Sequence, residues 1–156
     1  MMRNASIIGL LLLGACATTQ APQIARGGDE PVLRAIAPGG LKSGSCGALL
    51  WTRGVSGDPA LIFRSNAAEG AEVNFNGVLV PLALREGRGV SIYGQQLEQT
   101  FVPLAEDAPK IIVHVEAETG PSFDGGVYTR NARITLARDD GWEVVTPVAG
   151  VIGCSR

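Results

Sequence analysis

Few residues of this chain can carry chemistry: one histidine, His114, three cysteines, and 15 Asp and Glu side chains in 156 residues. His114 has the type needed for a general base toward a serine, with Asp124 as the carboxylate that orients its ring. The plainer alternative is a histidine on a solvated strand face beside Glu116. Ser56 and Ser91 lie near glycines, but neither sits in a Gly-x-Ser-x-Gly elbow on a strand-to-helix turn. A Walker loop and a His-Glu-x-x-His run are also missing from the sequence. A metal centre needs three or four converging ligands, which one histidine among scattered carboxylates does not promise. Asp139-Asp140 precedes Gly141, as turn-forming aspartates do, with calcium binding as the alternative. The expectation is a non-enzyme without metal or cofactor. Thirteen Lys and Arg with a net charge of −2 also exclude the concentrated basic footprint of a nucleic-acid binder.

Recognition chemistry is better represented. Tyr128, Arg130 and Arg133 follow the stretch Gly120 to Gly126, which contains Phe123 and Asp124 and reads as an exposed loop. Tyrosine and arginine are favoured at the centres of interfaces, the alternative being a solvated strand face. With Ser91 and Tyr93, these residues form the candidate binding surface. Trp51 and Trp142 read as core packing, with a carbohydrate or peptide platform as the alternative.

The amino terminus is more specific. Arg3 precedes a short apolar run, Ala5 to Leu13, that is shorter than the roughly 20 residues needed to cross a bilayer as a helix. A charged start, apolar middle and small-residue end define an export signal, and a buried helix is the alternative. Leu13-Gly14-Ala15-Cys16 resembles the lipobox of bacterial lipoproteins. That resemblance implies a signal peptide at 1–15, then Cys16 as mature amino terminus carrying a diacylglycerol thioether and a further acyl chain. Two or three chains anchor stably where one anchors marginally. Ala17 in place of an aspartate implies delivery to the outer membrane, facing the periplasm. The mature chain then carries 12 basic and 15 acidic side chains, a charge of about −3.

With Cys16 acylated, Cys46 and Cys154 remain. An even remainder in an exported protein suggests a disulfide, and only one pairing exists; two unbonded thiols are the alternative. Such a bridge would tie the first strand to the last segment. Residues 16–45 read as the lipidated start and a flexible tether, rich in Gly, Pro and small polar residues, with Pro31 to Ile36 apolar enough to dock. The β-domain is expected at 46–156.

That domain has no sustained helical period. Short β-branched runs separated by Gly, Pro, Asn and Asp about every ten residues predict an all-β antiparallel barrel or sandwich of seven to nine strands. Strands are expected near 47–53, 60–65, 71–75, 78–84, 89–93, 98–102, 110–117, 128–137 and 142–149. Asn76-Gly77 is the signature of a type I′ turn. It puts Phe75 opposite Val78 and Val73 opposite Val80, all on one face. Pro81 then points outward and suggests an edge strand. Asp140-Gly141 predicts a second tight turn.

In outline the chain is similar to the membrane-bound inhibitors of C-type lysozyme: a lipid anchor, then a small antiparallel barrel whose first strand and last segment are joined by a disulfide. That family presents a Ser-Gly-x-x-Tyr element and a Lys-Gly turn to the enzyme cleft. Here Ser91-Ile92-Tyr93-Gly94 holds similar residues in another order, and no Lys-Gly follows. An uncharacterised small-lipoprotein family fits equally well. Three functions follow. The first is a non-catalytic envelope lipoprotein whose β-domain binds a protein or cell-wall partner. The second is an inhibitor of lysozyme-type muramidases, and the third a hydrolase using His114.

Overall fold

The structure, a computed structural model, describes residues 31–53 and 58–156. Cys16, the signal-like segment and Ser56 lie outside the described residues. All regular structure within them is β: β1 (Leu33–Arg34), β2 (Cys46–Thr52), β3 (Leu61–Asn66), β4 (Gly70–Phe75), β5 (Val78–Ile92), β6 (Gln95–Pro103), β7 (Ile111–Phe123), β8 (Gly126–Arg138) and β9 (Glu143–Cys154). From β2 onward each strand pairs antiparallel with the next, and β9 returns to pair with β2. The result is a closed eight-stranded up-and-down barrel. The short β1 is an extra strand against the end of β4. Closure removes the bare edges through which open sheets aggregate.

The closing seam is the most constrained part of the wall. Cys46 faces Cys154 at one end of the β2–β9 ladder, and the two are disulfide-bonded. The seam glycines permit close packing. A Cβ on Gly150 would stand 2.0 Å from the Leu49 carbonyl oxygen, so only hydrogen fits there.

Alternation fills the interior. Leu50, Phe63, Val73, Val80, Leu82, Phe101, Val113, Ile134, Leu136 and Val148 are fully buried in one cluster. Eight strands enclose a space just wide enough for side chains to fill. At the disulfide end the lining turns polar: Ser65 donates to Gln95 Oε1 (2.7 Å) and accepts from the Ala48 amide (3.0 Å). Gln95 reaches this position because β5 and β6 bend. Register shifts between Leu84 and Glu86 and between Arg88 and Ser91 mark two bulges, which curve a hairpin. The Tyr93-Gly94 turn thereby comes against Ala67 of the β3–β4 turn.

The predicted Asn76-Gly77 turn is present, with φ of 52° and 93° and the expected Phe75–Val78 and Val73–Val80 pairs. Three of those four side chains are buried, whereas Val78 is 59% exposed because it lies at the barrel rim. A Gly77→Ala substitution meets no neighbouring atom but must hold a positive φ. We expect it to lower stability by about 1 kcal/mol in urea unfolding, through backbone strain alone.

Three expectations are corrected. The strands at 78–84 and 89–93 are one, β5, because bulges rather than a turn absorb Arg85 to Val90. Gly120 to Gly126 is not a loop. It forms the paired ends of β7 and β8, with a bulge between Thr119 and Ser122 accommodating Pro121 and only Asp124-Gly125 turning. Pro81 is not on an edge: β5 has β4 on one side and β6 on the other. Its carbonyl accepts from the Leu104 amide, so its missing N–H faces the place where β6 has already ended at Pro103. The Asp140-Gly141 turn connects β8 and β9 through residues 139–142, with the Asp140 carboxylate accepting the Trp142 amide at 3.0 Å.

Candidate surface on the barrel wall

Up-and-down connectivity sorts the turns between two ends. The β3–β4, β5–β6 and β7–β8 turns join the disulfide at one end; β1 and the β4–β5, β6–β7 and β8–β9 connections share the other. All residues of the sequence-derived binding surface belong to the two hairpins whose turns lie at the disulfide end, with Arg133 the furthest from its turn. They do not form a single group. β6 and β7 pair only from Glu98 to Phe101 against Val113 to Glu116, so the two hairpins are unpaired beyond that point. Ser91 and Tyr93 belong to the β5–β6 hairpin, and both are exposed.

The β7–β8 hairpin carries the denser chemistry. Phe123 and Tyr128 are in contact, ring centroids 5.0 Å apart, and remain 39% and 51% exposed. Phe123 lies across Gly126, whose missing side chain makes room for the ring. Asp124 pairs with Arg156, and Arg130 stands opposite Glu118, which accepts from Asn131 Nδ2 at 2.8 Å. Arg133 pairs with Glu116.

Sequence reasoning missed the apolar residues that extend this surface. Leu41, Leu49 and Val151 join Phe123 around a groove of about 180 Å³ beside the disulfide. The cysteine pairing itself held the clue. In an antiparallel ladder an opposed pair of residues fixes every other pair, so Cys46–Cys154 implies Leu49 opposite Val151. Trp142 packs partly buried against the core and Trp51 is half-buried at the end of β2.

His114 sits on the outer wall in a cross-strand row with Glu86, Thr100 and Thr135. Its Nδ1 shares a hydrogen bond with Thr100 Oγ1 at 2.9 Å. The adjacent row runs Arg88, Glu98, Glu116, Arg133, in which the two opposed carboxylates are flanked by arginines. All of these except Arg133 line a shallow depression of about 340 Å³. Asp124 does not orient His114: it is ten positions further along the hairpin, roughly 30 Å at strand rise, and is engaged by Arg156. Among the described residues no three His, Cys, Asp or Glu side chains converge as metal ligands.

The fold thus defines a closed, filled antiparallel barrel with its distinctive side chains on the outside. No known protein family matches the chain, and no curated protein or solved structure shows significant similarity to it.

Proposed function

We propose that this chain is a lipid-anchored envelope protein whose barrel binds a protein or cell-wall partner through its outer wall. Lipid on Cys16 would hold it to the outer membrane, facing the periplasm, the address that Ala17 implies. The observation that carries the recognition half is the filled interior. A barrel packed with Phe63, Phe101 and aliphatic residues leaves no interior room for a small-molecule cargo, so recognition falls to the wall. There, an exposed aromatic pair flanked by arginines has the composition of an interface centre.

The test compares in-cell cross-linking of the wild type with a Phe123→Ala, Tyr128→Ala variant. We expect the variant to fold normally, since both rings lie on the outer wall outside the core cluster, and to lose partner affinity about 30-fold, the loss of a hot spot worth about 2 kcal/mol. An identical set of cross-links from both proteins would reject this surface. Mass spectrometry of Cys16 checks the anchor separately.

A second reading is inhibition of lysozyme-type muramidases. It is favoured by one observation, the disulfide that joins the first and last strands of the closed barrel, with Ser91 and Tyr93 exposed on a neighbouring hairpin. Titration against several lysozymes without loss of lytic activity would remove it.

A further inference from the structure

The end of the barrel opposite the disulfide has exposed apolar side chains that no packing role accounts for. Val32, Val78, Leu79 and Leu104 are 44%, 59%, 51% and 59% exposed. They adjoin one another along the rim. Val32 is tied to the β4–β5 turn by its amide to Asn76 Oδ1 (2.9 Å) and its carbonyl from the Asn76 amide (3.0 Å). Val78 and Leu79 follow that turn directly. Leu104 bonds through its amide to the Pro81 carbonyl, which makes it the diagonal neighbour of Leu79 on the outer face. This same rim is where the chain enters the barrel, through Pro31 and Val32 into β1.

From these observations we infer that the rim lies on the membrane surface, with Val32, Val78, Leu79 and Leu104 seated at the lipid headgroup–acyl boundary. The inference rests on the acylation of Cys16 proposed above. Fifteen peptide steps separate Cys16 from Pro31, and in any conformation they reach at most about 50 Å. An acylated cysteine therefore holds the barrel near the bilayer continuously, so a rim too weakly apolar to bind lipid from solution binds it as an intramolecular event. The charges around the rim are mixed and lean acidic: Arg34, Lys110 and Arg138 stand among Glu106, Asp107, Asp139, Asp140 and Glu143. Apolar contact, not headgroup charge, is what holds the rim down. In this orientation Phe123 and Tyr128 stand away from the lipid, about 30 Å up the tilted strands, facing outward for a partner.

The test uses the full acylated protein in phosphatidylethanolamine–phosphatidylglycerol nanodiscs containing a lipid with a nitroxide headgroup, read by amide NMR. Signals of Asn76 to Leu79 and of Leu104 should be lost to paramagnetic broadening, while those of Tyr93-Gly94 and Asp124-Gly125 stay sharp. A Leu79→Asp, Leu104→Asp variant, altered only at exposed sites, should recover its rim signals while remaining acylated. Acylated protein with uniform broadening, or with the disulfide end broadened instead, overturns the docking and leaves the anchor standing. Rim-to-rim cross-links in place of lipid broadening would assign the patch to a second copy and also overturn it. A Cys16 without acyl chains refutes the anchor and the docking together.

Discussion

Replacing Cys46 and Cys154 by alanine is expected to lower unfolding stability by about 4–5 kcal/mol, the entropy that a bridge spanning 108 positions removes from the unfolded chain. In a domain of this size that corresponds to roughly 15 °C in melting temperature. The native wall itself does not need the bond for registry, because seven opposed pairs from Cys46–Cys154 to Thr52–Val148 hold the seam. The loss should therefore appear as easier unfolding rather than as an altered barrel. Amide NMR or far-UV circular dichroism of the variant should remain native-like. Urea unfolding with and without reductant measures the effect: reductant should destabilise the wild type and leave the variant unchanged. Equal midpoints for the two proteins without reductant would contradict this account of the seam.

The second large effect is expected at the middle of the core. Phe63 on β3 and Phe101 on β6 are both fully buried, meeting edge-on with centroids 5.5 Å apart at 62°. They come from strands that are not neighbours in the wall, so their contact crosses the interior and holds opposite sides together. Phe63→Ala should cost about 3–5 kcal/mol, combining lost transfer free energy with the cavity left behind. Phe101→Ala should fall in the same range. The double variant should lose less than the sum of the two, by about 1 kcal/mol, which is the ring–ring coupling. Strict additivity in chemical denaturation would show that the two rings contribute independently.

Much of this architecture could be read from the residues, and the failures have definite physical origins. Asn76-Gly77 worked because two consecutive residues tolerating positive φ fit one turn type. Tyr93-Gly94 makes a similar turn with φ of 50° and 75°, and tyrosine gives no warning of it. Between Leu84 and Val90, two glycines and three charges look like a break in a strand. Bulges gave that composition another use, bending one long strand over the end of the barrel. Glycine and Pro121 misled in the same way near residue 120. Barrel and sandwich share the local alternation, and what separates them is the long-range pairing of first and last strands. The two cysteines carried that information. Of the candidate surface, the Phe123–Tyr128 contact was accessible only after the supposed loop became a hairpin, while Ser91 and Tyr93 separated from it because β6 and β7 part company.

Where the seam falls has a consequence for biosynthesis. β9 completes the wall by pairing with both β8 and β2, and its last residue, Cys154, is the cysteine that locks it. A chain stopped before Glu143 has one bare edge on β2 and one on β8, and Cys46 lacks its disulfide partner. Only β9 can cover both edges and use up the Cys46 thiol. Closure thus waits on β9, and a fragment without it keeps its barrel open to proteases and chaperones.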